Sequence, residues 1–154
     1  MGREALRYNT TGSYSTALGF QAGYTNTTGR NTSLGYVAGF TNSTGDNNTA
    51  LGDSALYANT VSDNTAIGYA SLLDSTTGTY NVAVGANSAF NATTPNELVA
   101  IGYSAAGLGV LTGNSNVLVG SYAGYDMTSG NQNVAVGQGA MFEATSAEDG
   151  TALG

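Results

Sequence analysis

The chain has 154 residues, 23 of them glycine, no cysteine or histidine, and a net charge of −7 from ten carboxylates against three arginines, Arg3, Arg7 and Arg30. That inventory excludes a disulfide framework and thiolate metal sites. It leaves too few cations to supply the phosphate contacts that dominate nucleic-acid affinity or to hold the chain on an anionic membrane. No apolar run approaches the ~20 residues needed to span a bilayer, so no membrane insertion is expected, and no secretory signal is visible.

The pentapeptide Asn-Thr-Ala-Leu-Gly and its variants recur along the whole chain. Their closing glycines fall at Gly2, Gly19, Gly35, Gly52, Gly68, Gly85, Gly102, Gly120, Gly137 and Gly154, at spacings of 16–18 residues. A fixed period of this length is the mark of a solenoid, in which each repeat stacks only on its neighbours. Residues 1–154 are therefore expected to form one all-β, parallel β-solenoid of about nine coils. Low charge with many Gly and Ser can also mean disorder, but disordered chains need no register, and here the aliphatic residues keep one.

Taking each closing glycine as position zero, the residues before it alternate, and period two means a strand. Position −3 is β-branched, from Thr16 and Thr32 through Val82 and Val99 to Thr151. Position −1 is large and aliphatic, from Leu18 and Leu34 through Val84 and Ile101 to Leu153. These two positions share a face, which is expected to point inward. Position −2 carries Ala17, Ala50, Ala66, Ala83, Ala100, Ala135 and Ala152, broken only by Ser33 and Leu118. A surface meant for water would not be alanine, so this strip is expected to face outward as a subunit interface. Asn at −4 is expected to form a ladder, each amide bonding the next.

After the glycine a second strand is expected. Position +3 is small, as in Ala22, Ala38 and Ser71, and +5 is aromatic or large, as in Tyr24, Phe40 and Tyr57, with Gly107 the outlier. Thr-Gly or Ser-Gly turns then close the coil. Position +1 carries Phe20, Tyr36, Tyr69 and Tyr103, whose rings suit stacking on sugars and make a candidate ligand face.

The runs Asn-Thr-Ala-Ile-Gly-Tyr-Ala-Ser-Leu at 64–72, Asn-Val-Ala-Val-Gly-Ala-Asn-Ser-Ala at 81–89 and Asn-Val-Ala-Val-Gly-Gln-Gly-Ala at 133–140 resemble the head repeat of trimeric autotransporter adhesins of the YadA-like type. They are also similar to repeats in phage tail fibres. The resemblance implies a left-handed β-roll, assembled as a homotrimer and displayed outside the cell, on a cell surface or a virion appendage. The period here is longer than that family's coil, and Thr replaces Val at −3 in five copies.

Enzymatic roles find little support, and no catalytic, metal or cofactor site is expected. Without histidine or cysteine the common nucleophile–base pairs cannot be built, and Asp46, Asp53, Asp63, Asp74 and Asp126 fall at scattered phases, as solvated carboxylates do. A calcium roll would repeat Asp at one phase; the turn at Asp46-Asn47-Asn48 offers at most an isolated site. Ice binding is disfavoured if the Thr row faces inward. The Asn-x-Ser/Thr sequons at Asn9, Asn26, Asn31, Asn42, Asn47 and Asn91 are what such turns require anyway. Expected, then, is a non-enzymatic structural or adhesive fibre segment attaching to host or matrix surfaces. The alternatives are a tail-fibre segment recognising host glycan and a self-assembling extracellular filament subunit. Both ends stop at the same repeat phase without a polar cap, so end-to-end stacking or a longer parent fibre is expected.

Overall fold

The computed structural model describes residues 2–154, so the expected role of Met1 at position −1 lies outside the described residues. Nine three-residue strands recur in step with the glycines: β1 Thr16–Leu18, β2 Thr32–Leu34, β3 Thr49–Leu51, β4 Thr65–Ile67, β5 Val82–Val84, β6 Val99–Ile101, β7 Val117–Val119, β8 Val134–Val136 and β9 Thr151–Leu153. They form one sheet in chain order. Every pairing is parallel and puts like on like, Thr16 beside Thr32 and Val84 beside Ile101. The chain is thus a parallel β-solenoid of about eight turns, counted from the first strand to the last.

The closing glycines make the corner. From Gly19 to Gly137 their φ lies between 126° and 143°, a region that side chains rarely adopt. A Cβ on Gly85 would stand 2.4 Å from the carbonyl oxygen of Gly102 in the next coil, and one on Gly68 2.5 Å from that of Gly85. Each corner is therefore stacked too closely on the next to admit any other residue.

The expected second strand is not extended. Positions +2 and +4 take left-handed φ, as at Gln21 (51°) and Gly23 (58°), Ala70 (50°) and Leu72 (46°), and Asn87 (55°) and Ala89 (51°). The backbone still bonds from coil to coil: the Val37 amide donates to Phe20 O at 2.9 Å, and the Gly39 amide to Ala55 O at 2.9 Å. A coil this short must curve sharply after its corner, and alternating left-handed residues bend the chain without breaking the stacking.

The core corrects the expected facing. Ala17, Ala50, Ala66, Ala83, Ala100 and Ala135 are buried inside the coil, and Ala152 in the last coil is half-buried. They are the interior, not an outward subunit interface. They pack against buried +3 residues such as Ala38, Ala55 and Ala105, and the space is so narrow that bulk trades across it. Where −2 is alanine, +4 can be Leu56 or Leu72, both buried. Where −2 is Leu118, +4 is Gly124, whose added Cβ would stand 2.8 Å from Leu118 Cδ1. Conserved volume across facing positions is what close packing demands.

The asparagine ladder exists, with different bonding from that expected. Each −4 side-chain oxygen accepts the backbone N–H of the next −4 residue: Asn31 from Asn48 at 2.8 Å, Asn48 from Asn64 at 2.9 Å, Asn64 from Asn81 at 3.0 Å, Asn81 from Leu98 at 2.9 Å. Each side-chain nitrogen donates to a turn carbonyl, as Asn64 Nδ2 does to Gly78 O and Asn81 Nδ2 to Pro95 O, both at 2.8 Å. Amide meets amide between Asn133 and Asn116, at 3.0 Å. Both ends of these buried side chains are satisfied, as burial requires.

Candidate functional site

With −2 and −4 inside, −3 and −1 face out, the reverse of expectation. Leu18 is 55% exposed, Leu51 43%, and Ile101 and Val136 39% each. Nine such rungs build two uncharged columns, Leu/Ile/Val beside Thr/Val, along eight strand spacings or roughly 38 Å. The Thr row points outward with them, so its facing no longer counts against ice binding. The row is unbroken only from Thr16 to Thr65; Val82, Val99, Val117 and Val134 then replace it before Thr151.

Phe20, Tyr36, Tyr69 and Tyr103 do lie on the surface, but not as one continuous face. Phe20 and Tyr36 stack on each other at 5.4 Å, 11° from parallel. Asp53 and Ala86 then occupy the column on either side of Tyr69, and Tyr103 meets Tyr122 edge-on at 5.3 Å. The better-ordered column is at +5. Tyr24, Phe40 and Tyr57 stack at 4.9 and 5.1 Å within 5° of parallel, and Tyr125 stacks on Phe142 at 5.0 Å. Their spacing follows that of the coils, so the sequence repeat sets the ring stack directly.

Concavities interrupt the rod among the described residues, two of them near positions singled out above. One, of about 370 Å³, lies among Thr11, Ser13, Tyr14, Gly29, Arg30 and Asp46. Arg30 binds Asp46 there at 3.0 Å, and this hydrogen bond lowers the Asp46 carboxyl to about 2 from its ordinary 3.8. The other, of about 290 Å³, opens beside Gly107. Its only advance signal was Gly107 itself, the outlier at a +5 position that is otherwise aromatic or large.

The remaining candidates are consumed by the fold. Asn48 of the Asp46-Asn47-Asn48 turn is buried in the ladder, and Asn47 Nδ2 donates to Asp63 Oδ1 at 3.0 Å. Among the described residues no three His, Cys, Asp or Glu side chains gather to hold an ion. Asn26, Asn31 and Asn42 are buried, which removes three of the sequons as attachment sites. No helix among the described residues is long and apolar enough to cross a membrane. No protein-family model, no curated protein and no solved structure matches the chain.

Proposed function

We propose that this chain is a non-enzymatic fibre segment in which three copies pack sheet face to sheet face around a common axis, displayed outside the cell for attachment to a host or matrix surface. The outward aliphatic columns carry the proposal. A continuous uncharged strip some 38 Å long, with an aliphatic residue at −1 in every rung, is the kind of surface patch that marks an interaction site. A second copy carries the same period and the same absence of charge, so identical strips fit without register conflict. The left-handed roll, the number three and the location at a cell surface or virion appendage come from the resemblance to trimeric adhesin heads. The aromatic columns favour the related tail-fibre reading, in which the rod itself recognises glycan.

Sedimentation equilibrium tests this. The expected wild-type mass is three chains, and Val84→Glu, in the centre of the strip, should give a folded single chain. A wild-type monomer would sink the proposal. Mass growing without limit with concentration would favour the filament subunit instead.

A further inference from the structure

The ring column at +5 breaks once in a way that leaves a hole. Phe90, Gly107 and Tyr125 occupy +5 in three successive coils. Where rings fill successive coils of this column they sit 4.9–5.1 Å apart between centroids, and at the column's other non-aromatic place between Tyr24 and Phe142 the aliphatic side chain of Leu73 stands instead of a ring. At Gly107 a whole ring is missing, and its neighbours stand two coils apart, roughly 9.6 Å. The 290 Å³ cleft fills that interval, and Phe90 and Tyr125 both line it. The gap is not a place where a side chain was simply shortened. A Cβ on Gly107 would stand 2.8 Å from Ser104 O and 2.9 Å from Ser104 Cβ.

The cleft has polar groups as well as ring faces. Ser104, only 6% exposed, lines it, and its hydroxyl makes no hydrogen bond among the described residues. Asn87 lines it too, half-buried and likewise with a free amide. Asn91 ties Nδ2 to Leu108 O at 2.9 Å and keeps its oxygen available. Tyr103, 49% exposed, stands at the side.

From this arrangement we infer a socket for a single pyranose ring of a glycan, held between Phe90 and Tyr125 with its hydroxyls on Ser104 and Asn87. One ring fits the missing rung. A flat aromatic side chain would fit it too, but would leave the Ser104 hydroxyl and the Asn87 amide unpaired in a desolvated cleft, which is costly. A pyranose presents C–H faces to both walls and hydroxyls at its rim, so it satisfies both. Small sites of this kind have apolar walls and a few convergent polar groups. The socket rests on the attachment half of the proposed function and is independent of the number of chains.

Saturation-transfer NMR on the full chain tests it, with a panel of methyl pyranosides (glucoside, galactoside, mannoside and the N-acetylglucosaminide) and with p-cresol as the flat competitor. At least one pyranoside is expected to receive saturation from the wild type. Phe90→Ala and Tyr125→Ala should each weaken that binding tenfold or more. Tyr57→Ala, the same truncation in the unbroken part of the column, should leave it intact and serves as the control for folding and for non-specific stacking. Ser104→Ala should lower affinity several-fold without moving the melting temperature. No transfer to any pyranoside, equal binding by Phe90→Ala, or p-cresol outcompeting every sugar would overturn the socket. Any of these could occur with the three-chain mass intact, which keeps the two proposals separable.

Discussion

Neighbouring residues in one strand have opposite fates here, and that gives the sharpest test at the scale of single side chains. Ala83 is fully buried inside its coil, while Val84 points away from it. With three arginines in the whole chain, at Arg3, Arg7 and Arg30, no cation is placed to pair a carboxylate at either position. Ala83→Glu puts a charge into a space packed for a methyl group and should cost several kcal/mol, unfolding the surrounding coils. Val84→Glu leaves the coil intact and should act on association alone. Circular dichroism separates the two: the Ala83 variant loses its spectrum, the Val84 variant keeps it. If both variants stayed folded, the interior would have been assigned to the wrong face. Arg30 and Asp46 allow a second residue-scale test. Because the Arg30 hydrogen bond depresses the folded Asp46 pKa from 3.8 to about 2, the pair adds stability that is complete above pH 4 and is lost as pH falls through 2. Thermal melts between pH 5 and pH 1.5 should therefore show a shallower acid loss in Asp46→Asn. An identical slope in wild type and variant would mean the pair carries no linkage.

At the scale of one element, the asparagine ladder has a natural defect. Leu98 replaces asparagine at −4, so the Asn116 N–H above it finds no side-chain acceptor, whereas Asn133 N–H, one coil on, is bonded to Asn116 Oδ1 at 3.0 Å. Hydrogen exchange should find the Asn116 amide the least protected of the −4 amides in the middle coils. Asn81→Leu should extend the defect to the Leu98 amide and cost roughly 1–3 kcal/mol for each group it orphans; unchanged exchange at Leu98 would count against the ladder. The corners behave in the same way. Gly85→Val must strain a φ of 132° and meet Gly102 O, at a cost of roughly 3 kcal/mol or more. Ala86→Val, half-exposed beside it, should be near neutral, and equal melting temperatures would contradict the corner.

These elements also show how far the repeat could be read in advance. The strands, their spacing and the corner glycines followed from period alone. The facing did not, because alternation defines two faces without saying which is inside, and Leu18 or Ile101 looks like core to any hydropathy argument. The deciding signal was size: +3 is always small and −2 is small in every coil but that of Leu118, since both face a narrow interior, while −1 is free to be large because it points out. The second segment was missed as non-strand because its left-handed turns fall on Val37, Leu72 and Ser104, residues that give no sign of such φ. The Gly107 cleft was visible only as an outlier, since an absent ring has no side chain to read.

For the whole molecule, stability should depend on coil number more than on any one residue, because every coil contacts only the coils beside it. Contacts between strands run only from each to the next, β1 with β2 through β8 with β9. Deleting residues 69–85 removes one complete period, from just after one closing glycine through the next. Gly68 would then be followed by Ala86, and β4 would lie on β6 with Thr65 beside Val99 and Ile67 beside Ile101, so that Asn64 takes over the Leu98 amide. Every column is kept, and the outward strip shortens from nine rungs to eight. The variant should fold, retain the wild-type number of chains per particle, and melt only slightly lower. Deleting residues 69–76 instead removes about half a period and puts the corner of one coil over the strand of the next. That variant should lose its β spectrum, with the loss reaching coils on both sides of the cut. Mass measurement and circular dichroism on the pair decide the matter. If the half-period deletion were as well tolerated as the whole one, register would not be what holds the rod together, and the stacking of like on like would have to be given up.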